Sequence, residues 1–585
     1  MTIEIPKEEI VGYECRHVTY VRPPEPGMDD LHVVKEIIHT KDGKTHPNLR
    51  FWKNFKRPYG ITQIGHRNHK QKKEWEDVNK LNIFESRQCD LIRNAARSLG
   101  VPWFRGGLRN LAGHVEVDKQ GKETPVGVYL YGADILSTAV LKRKYQDQFP
   151  NLNTPFTVAA FDIETDVVQG TGAPVAIAVA MGNKVYTAVR RSFVERQLNV
   201  HERLQNLLQT YLPDIVKKRG LEWYIDIVDD EIMAIRNAFK KIHEWKPDFL
   251  SIWNMNFDIK RIKEVLEYHN IDPAEIFSDP SVPDEYKYFF YREGPEQKVT
   301  ASQKMSPIKP ASRWHTVYTP ASYYVIDAMC AYRHIRNQFQ EEQSYSLDAI
   351  LNKELDRGKL TFPNITTVTE GTLEWHQEMQ ANYPLEYLVY NLFDVVGMLE
   401  LDDKIQDLSL TLPMFSGCSD FENFDSQPRR MVDDIHYYCL AHRSEEHPNG
   451  LMIATTSREM QTDLDKMTVD PKGWIIALAA HLVHDNGMQV IEHAPWLRTN
   501  YRSHTGDLDV SAAYPTNEEV MNISMETTHR ELCEIEGISE DVKRKEGINL
   551  SGGHTNAIEI ATELYGLPTL DVLLAAFEEH LATGA

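Results

Sequence analysis

An apolar segment that ends in two acidic residues constrains the fold of this chain more than any other feature. Residues 156–164, with the sequence FTVAAFDIE, have the composition of a buried strand. Residues 174–181 have the pattern of a neighbouring strand, residues 230–245 have helical spacing, and residues 248–253 are again strand-like. Strand, strand, helix and strand in this order predict an α/β fold with a mixed sheet.

The length of the chain predicts several domains. Its 585 residues exceed what one ordinary hydrophobic core accommodates. The pattern becomes irregular around residues 408–422, which indicates a boundary. We expect an α+β N-terminal domain in residues 1–152, an α/β domain in residues 153–407, a linker and further domain in residues 408–535, and a helical tail in residues 536–585.

The charge balance excludes one class of nucleic-acid binder. The chain has 64 basic and 86 acidic residues, a net charge of −22, which argues against a histone-like protein. A local basic groove, or acids that hold metal ions, remains compatible with this balance. The apolar runs are too short for a membrane span, the first residues have neither the basic start nor the apolar run of a signal peptide, and the six cysteines form no Cys-x-x-Cys pair. These features predict a soluble cytoplasmic protein with no membrane partner.

A basic segment near the N-terminus is open to two interpretations. Residues 53–73 contain seven Lys or Arg residues, interleaved with Phe55 and Tyr59. Such a mixture is typical of surfaces that bind single-stranded nucleic acid. A solvated face that balances nearby acids would have the same composition.

The acids that could carry chemistry fall in three places. Asp162 and Glu164 lie two residues apart on the first predicted strand, so both side chains point to one face. Asp258 follows a second predicted strand and precedes a helix predicted over residues 260–268. Tyr390 and Asp394 are four residues apart, which places them on one face of a helix.

The surroundings of Asp394 are apolar, so an unpaired carboxylate would be costly there. Either a metal ion or a buried salt bridge would remove that cost. Four carboxylates can hold two divalent cations about 3.5–4 Å apart, an arrangement that cleaves phosphodiester bonds. A phenol beside them could orient the attacking water by a hydrogen bond.

These residues carry a resemblance to a known family. The motifs are Asp162-Ile-Glu164, Asn254-x-x-Phe257-Asp258 and Tyr390-x-x-x-Asp394. They resemble the three exonuclease motifs of the DEDDy 3′→5′ proofreading domain, in particular those of family B DNA polymerases from large T-even-like tailed phages. The segments around Asp327, Ser346 and Lys359 also follow that family.

The resemblance implies a ribonuclease H-like exonuclease domain that hydrolyses the 3′-terminal phosphodiester of DNA. It implies that two Mg²⁺ or Mn²⁺ ions are bound by Asp162, Glu164, Asp258 and Asp394. Tyr390 is expected to orient the water. Contacts with the single-stranded primer end are expected from Asn254, Phe257, Ser346 and Leu347.

The resemblance extends into a polymerase motif. Residues 509–515, with the sequence DVSAAYP, look like motif A of the palm. That match implies that Asp509 binds the catalytic metal ions and that Tyr514 packs beneath the incoming nucleotide. Ala513 departs from the pattern, because family members usually have a bulky apolar residue at its position.

Two polymerase motifs are missing. The chain contains no Lys-x-x-x-Asn-Ser-x-Tyr-Gly motif and no Asp-Thr-Asp-Ser motif. Asp509 therefore lacks its partner carboxylate, and two-metal nucleotidyl transfer needs a second chain. We expect the N-terminal portion of a split DNA polymerase, with an active exonuclease and a partial palm. The expected partners are single-stranded and primer–template DNA, the missing polymerase subunit and a sliding clamp.

Two rival interpretations remain open from the sequence. One is a free-standing 3′→5′ exonuclease with a vestigial palm. The other is a replisome scaffold that binds DNA and whose acids are structural. The amphipathic segment of residues 548–581 would dock a partner or pack on its own chain.

Overall fold

The computed structural model describes residues 5–69, 75–299, 304–336, 341–413, 421 and 450–459. Its strands are β1 (Ile10–Val21), β2 (Leu31–Thr40), β3 (Thr45–Lys53), β4 (Lys56–Thr62), β5 (Trp75–Asp77), β6 (Leu81–Arg87), β7 (Val115–Val117), β8 (Glu123–Pro125), β9 (Leu130–Tyr131), β10 (Val158–Thr165), β11 (Pro174–Met181), β12 (Lys184–Arg190), β13 (Glu222–Val228), β14 (Phe249–Ile252), β15 (Phe290–Arg292), β16 (Gln297–Val299), β17 (Met305–Pro307), β18 (Thr316–Tyr318), β19 (Tyr324–Asp327) and β20 (Leu451–Ile453).

The α-helices of the same residues connect and cover these strands. They are α1 (Leu91–Leu99), α2 (Leu108–Ala112), α3 (Ser137–Gln148), α4 (Arg191–Val194), α5 (Val200–Tyr211), α6 (Pro213–Arg219), α7 (Glu231–Trp245), α8 (Met255–Tyr268), α9 (Pro273–Phe277), α10 (Ala328–Ile335), α11 (Leu347–Leu355), α12 (Leu373–Asn382) and α13 (Pro384–Ile405). The chain therefore has the mixed α/β content that the sequence predicts.

The chain divides into two compact units. The first contains residues 1–57, 85–91 and 135–441, and the second contains residues 58–84, 92–134 and 442–585. The second unit includes the small sheets β7–β8 and β20–β5, and most of the sheet with the order β6-β4-β9. The boundaries expected at residues 152 and 407 differ from this division, in which segments distant in sequence share one unit.

A six-stranded mixed sheet forms the centre of the first unit, with the order β13-β12-β11-β10-β14-β19. β10, β11 and β12 are antiparallel neighbours. β14 pairs in parallel with β10 on one side and with β19 on the other. The mixed sheet that the sequence predicts is therefore present.

Helices cover both faces of this sheet because its central strands are apolar on both sides. β11 is buried almost throughout, and its alanines at 176, 178 and 180 lie in the core shared with α5 and α13. Ile177 and Val179 of the same strand lie in the opposite core, shared with α7 and α8. The alternation follows from the two-residue period of a strand.

A second sheet of the first unit is the antiparallel meander β1-β2-β3, against which α3 packs. The structure changes the interpretation of the basic segment of residues 53–73, of which residues 56–62 form β4. Arg57 is fully buried and Tyr59 is 1% exposed, so neither side chain is available to nucleic acid. Phe55 is half-buried and contacts His32 and Trp52.

The helix around Asp258 begins earlier than predicted. The sequence predicts a helix from residue 260, with Asp258 before it, whereas α8 begins at Met255 and Asp258 lies in its first turn. Asn254 precedes the helix with a left-handed φ of 64°, which asparagine tolerates better than most residues. The helix can therefore begin directly after β14.

Other predictions lie outside the described residues. These include the partial palm with Asp509 and Tyr514 and the helical tail. Among the helices that the structure does describe, none is long and apolar enough to cross a membrane.

Candidate metal centre

The two acids of β10 face the helix α13. Ala159, Phe161 and Ile163 point into the core on the α7 and α8 side, so the intervening Asp162 and Glu164 point to the opposite side. There Asp162 Oδ2 accepts a hydrogen bond of 2.7 Å from Asn391 Nδ2 of α13. The predicted common face of both acids is confirmed.

Small side chains allow α13 to approach the sheet. In the β10–β11 pairing Asp162 lies opposite Ala178 and Glu164 lies opposite Ala176. A methyl group at Gly397 of α13 would lie 3.2 Å from Leu351 of α11. The helix is thus packed tightly between the alanine row and α11, which holds Asp394 against the strand.

Three carboxylates meet at this contact. Asp162, Glu164 and Asp394 each offer an oxygen atom, and these atoms lie within 4.8 Å of one another. Glu164 is 9% exposed and Asp394 is 2% exposed. Oxygen atoms at this spacing and of this type are suited to a hard divalent cation.

Asp258 lies beside the triad rather than in it. The last pair between β10 and β14 is Phe161 with Ile252, so β10 continues beyond the end of β14. Asp258 Oδ1 accepts a hydrogen bond of 3.3 Å from the N–H of Ile163, in the middle of the Asp162–Glu164 motif. The carboxylate therefore takes a place next to β10 where β14 has ended.

A neighbouring aspartate positions the helix that carries Asp258. Asp327, at the end of β19, accepts hydrogen bonds of 3.0 Å from the N–H groups of Met255 and Cys330. It thereby caps the first turns of both α8 and α10. The sequence singles out the segment around Asp327 only through its resemblance to the family.

Burial and mutual repulsion raise the pKa values of all four acids. The pKa of Asp162 is raised to about 7, first by burial and then by the charge of Asp394. The pKa of Glu164 is raised by burial and then by Asp162 and Asp394, and that of Asp258 by burial and then by Asp162. Burial also raises the pKa of Asp394, while Lys359 opposes that rise. A cation would keep the group ionised at neutral pH.

Lys359 makes contacts with Asp394 and Tyr390 that the sequence did not predict, although the resemblance singles out its segment. Its Nζ lies 2.5 Å from Asp394 Oδ2 and 3.1 Å from the hydroxyl of Tyr390. It is the one basic side chain, in the part of the chain that the structure describes, that pairs with any of the four acids. Burial lowers the pKa of Lys359, but the attraction of Asp394 outweighs it and raises the pKa. One positive charge thus faces four carboxylates.

The loop after α11 places Lys359. Asp356 ends that helix with a left-handed φ of 52°, and the backbone N–H of Lys359 donates a 2.7 Å hydrogen bond to Asp348 Oδ1. A Cβ at Gly358 would lie 2.6 Å from side-chain atoms of Asn352 and Asp348. A larger residue at position 358 would therefore displace the Asp348 side chain that accepts the N–H of Lys359.

Glu164 is held by a chain of two hydrogen bonds that runs from His376 through Tyr387. Tyr387, one turn before Tyr390 on α13, donates a 2.5 Å hydrogen bond to Glu164 Oε2. His376 Nδ1 of α12 lies 2.8 Å from the same Tyr387 hydroxyl. Because the tyrosine proton is used by Glu164, this nitrogen must carry a proton and donate it. Burial, and then Lys359, lower the pKa of His376 to about 4, so the ring is neutral.

The helix α12 also holds the end of β10, through two glutamine side chains. The amide of Gln380 donates to the Thr165 carbonyl at 2.8 Å and accepts from the N–H of Val167 at 3.2 Å. Gln377 donates to the Val167 carbonyl at 3.2 Å. α12 therefore positions both the backbone after Glu164 and, through Tyr387, its carboxylate. Only the tertiary structure identifies this role.

Tyr390 lies beside the acid group, where its hydroxyl accepts a hydrogen bond from Lys359. It is 4% exposed, and its ring stacks on Tyr387 at 5.7 Å between centroids. Burial, and then Asp394, raise the pKa of the hydroxyl, so it stays protonated at neutral pH. Because Lys359 donates to the phenol oxygen, the O–H of Tyr390 is left to act as a donor.

The residues present fit a divalent cation. Asp394 Oδ1 is buried and has no hydrogen-bond partner among the described residues, although an unmatched buried carboxylate oxygen is costly. Asn391 Oδ1, on the same helix, is likewise unmatched. Buried carboxylates that outnumber their cations commonly coordinate metal.

The four residues predicted to bind DNA fall into two groups. Phe257 is 44% exposed on α8, with the Arg261 guanidinium 5.6 Å from its ring centroid, and Asn254 is also exposed. Ser346 caps α11 by accepting from the N–H of Ala349 at 3.3 Å. Leu347 is 6% exposed and belongs to the core around α13, so its side chain is not available to a base.

The chain was also compared with known proteins: no family model and no curated protein matches it.

Proposed function

We propose that this chain is a metal-dependent 3′→5′ exonuclease that removes the terminal nucleotide of single-stranded DNA. The observation that carries the proposal is the acid group itself. Asp162, Glu164 and Asp394 converge within 4.8 Å, Asp258 lies beside them, and one lysine offsets their charge. A buried group of this charge is unfavourable in a purely structural role.

Asp162, Glu164 and Asp394 would hold one divalent ion. Asp258 accepts a hydrogen bond from the N–H of Ile163, which follows Asp162 on β10, and Asp162 is the charge that most raises the pKa of Asp258. Asp162 and Asp258 would share a second ion, Mg²⁺ or Mn²⁺. Two such ions lower the pKa of an attacking water and stabilise the leaving 3′ oxygen.

The remaining polar groups would orient the substrate and the water. The protonated hydroxyl of Tyr390 donates a hydrogen bond to the water that attacks the terminal phosphorus. Lys359 fixes that phenol and Asp394 in one geometry, and Asn391 fixes Asp162. The P–O3′ bond breaks, the penultimate nucleotide keeps its 3′ oxygen, and a nucleoside 5′-monophosphate is released.

The sheet supports a ribonuclease H-like architecture for residues 153–407. Three antiparallel strands, β12-β11-β10, are followed by the parallel strands β14 and β19, and β13 is added at the edge. Asp162 and Glu164 lie on β10 near the centre of the sheet, Asp258 lies on α8 directly after the neighbouring β14, and Asp394 lies on α13. Such a fold hosts many functions, so the site carries the functional argument.

Exposed groups beside Asp258 favour a single strand as substrate. Phe257 presents a ring that a terminal base could stack on, and Arg261 next to it could contact a phosphate. Asn254 lies one turn earlier at the start of the same helix. A duplex would have to be unpaired before its end could reach buried carboxylates.

The polymerase part of the proposal rests on the resemblance alone. Asp509 and Tyr514 would complete a nucleotide site with a second chain that supplies the Asp-Thr-Asp-Ser motif. A free-standing exonuclease with a vestigial palm is the alternative. Co-purification of such a second chain, and primer extension by the mixture but not by either chain alone, would distinguish the two.

The exonuclease is tested with a 5′-labelled single-stranded oligonucleotide. We expect stepwise shortening from the 3′ end with Mg²⁺ or Mn²⁺, and no shortening with EDTA or with the Asp162→Ala/Glu164→Ala variant. Asp402→Asn is the matched control, because Asp402 is a buried acid two turns further along α13 that caps Leu408. The Asp402→Asn variant should shorten the oligonucleotide as the wild-type chain does.

A wild-type chain that binds no divalent ion and leaves the oligonucleotide intact would contradict the proposal. In that case the acids are structural, and the scaffold interpretation takes its place.

A further inference from the structure

The segment of residues 91–115 is basic, although the chain as a whole is acidic. It contains four arginines and no acidic residue, whereas the average density of acids in the chain would place about four in a stretch of this length. The segment forms α1, a loop and α2. Arg93 and Arg97 are both exposed, and their spacing of four residues places them on one face of α1.

The loop carries an exposed aromatic ring, which lies between Arg97 and Arg105 in sequence. Trp103 is 91% exposed, the largest exposure among the large apolar side chains of the described residues. Arg105 and Arg109 follow it and are exposed as well. Arg97, Arg105 and Arg109 form no ion pair within the described part of the chain.

The loop is held in a defined shape. The N–H of Val101 donates to the Ala96 carbonyl at 2.8 Å, and the N–H of Phe104 donates to the Val101 carbonyl at 3.2 Å. The Phe104 ring contacts His114 edge-on at 5.5 Å between centroids. The backbone around Trp103 is therefore fixed at both ends, and the indole is presented outward by a folded turn.

We propose that Trp103, together with Arg97, Arg105 and Arg109, forms a binding surface for single-stranded DNA. An exposed indole stacks on any unpaired base, and guanidinium groups bind the phosphates between bases. A duplex would offer the phosphates but would keep its bases stacked inside. The acid-free composition removes the repulsion that a phosphate backbone meets over most of this chain.

This surface differs from the segment of residues 53–73, for which a single-strand surface is one of two interpretations of the composition. That segment is more basic, with seven Lys or Arg residues, but Arg57 and Tyr59 are in the core. In the segment of residues 91–115 both the aromatic ring and the arginines are exposed. Binding of a single strand here does not depend on the exonuclease; the choice of DNA over RNA rests on the proposed function.

The test measures binding by the full chain in EDTA, where no cleavage occurs. An oligo-dT carrying 5-iodo-deoxyuridine is bound, irradiated with long-wave ultraviolet light and digested with trypsin. We expect the crosslink on the peptide of residues 98–105, which contains Trp103 and Phe104 between two cleavage sites. Trp103→Ala should abolish that crosslink and weaken binding about tenfold.

The arginines are tested through the dependence of affinity on salt. Each of Arg97→Gln, Arg105→Gln and Arg109→Gln should reduce the slope of log K against log salt by about 0.7. Arg196→Gln and Tyr268→Ala are the matched controls, because Arg196 is also exposed and Tyr268 is 83% exposed in the first unit. Neither control should change the affinity, the slope or the crosslink.

Several outcomes would overturn the proposal. Crosslinks found only in other peptides, or an unchanged affinity of the Trp103→Ala variant, would remove the surface. If duplex DNA competes with oligo-dT equally well, the surface is not specific for single strands. If oligo-U binds more tightly than oligo-dT, the surface binds RNA and not DNA. Equal competition by polyglutamate would identify a surface for acidic polypeptides. Since nuclease activity is measured separately with Mg²⁺, failure here leaves the proposed function standing.

Discussion

Two groups of buried acids lie along β10 and β14, and they differ in how their charge is neutralised. Asp248, just before β14, is fully buried and meets two cations, Arg16 and Lys35, each at 3.6 Å. The group of Asp162, Glu164, Asp258 and Asp394 contains four carboxylates and meets Lys359 alone among the described residues. The charge of Asp248 is balanced by buried cations, although its Oδ1 accepts no hydrogen bond among the described residues, whereas the four carboxylates share one cation.

The surroundings of Asp248 show what a structural acid requires. Besides the two cations, its Oδ2 accepts hydrogen bonds from the N–H and hydroxyl of Thr157, at 2.8 and 2.9 Å. Burial lowers the pKa of Lys35 to about 8, while Asp248 opposes that change. These contacts join the β1–β2 hairpin to the central sheet. The acid group around Asp394 lacks such compensation, which is why an ion fits there.

The largest effect is expected on the nuclease activity, which a substitution in the group of four acids should remove. Asp394→Asn should lower the rate of 3′ shortening at least about a thousandfold, because a bound ion contributes several kcal/mol to transition-state stabilisation. In EDTA the same variant should unfold at an equal or higher temperature, since one repelling charge is gone. Single-turnover kinetics and thermal unfolding check both. A marked loss of stability in EDTA would mean that Asp394 is a structural acid.

The opposite result is expected for Asp248. Asp248→Asn leaves Lys35 buried without its ion-pair partner and takes one of two acidic partners from Arg16, which keeps Glu14. The free energy of unfolding should therefore fall by about 3–5 kcal/mol. Urea unfolding with and without Mg²⁺ measures it, and the loss should be the same in both. Asp226→Asn is the control, because that exposed acid accepts one hydrogen bond, from Tyr186. An unchanged midpoint for Asp248→Asn would contradict a closed structural site.

A smaller effect is expected from the support of Glu164. Tyr387→Phe keeps the ring but removes the hydroxyl that donates to Glu164, so the affinity for Mn²⁺ should fall about 10–100-fold. Titration calorimetry measures this without substrate. Tyr323→Phe is the matched control: Tyr323 is 2% exposed and donates a 2.8 Å hydrogen bond to the Phe277 carbonyl in the other core. Equal Mn²⁺ affinity of both variants would rule out the positioning role.

The smallest effect concerns pH. The folded pKa of Asp162, about 7, lies above its ordinary value of 3.8. A raised folded pKa gives stability that is complete below the ordinary pKa and is lost as the pH rises through the folded one. In EDTA the unfolding temperature should therefore fall by a few degrees between about pH 4 and pH 7, and Mg²⁺ should restore it more at pH 8 than at pH 5. Asp162→Asn should reduce this dependence, and an equal slope in that variant would contradict the assignment.

The sequence by itself determined the local parts of this protein. The strand over Pro174–Met181 and the helix over Glu231–Trp245 follow from apolar periodicity, because side-chain spacing repeats along a single element. The shared face of Asp162 and Glu164, and that of Tyr390 and Asp394, follow for the same reason. Each of these is a relation between residues a few positions apart.

Only the tertiary structure decided which of these faces meet. Lys359 pairs with Asp394 across 35 residues, and Tyr387 donates to Glu164 across 223. No periodicity encodes such contacts, because they depend on how the alanine row of β11 lets α13 approach the sheet. The same limit explains Arg57 and Tyr59, whose composition indicates a surface but whose side chains complete a core. Local spacing determined which acids share a face of one strand or helix. Tertiary packing brought those faces together, and it left the negative charge only partly offset by Lys359.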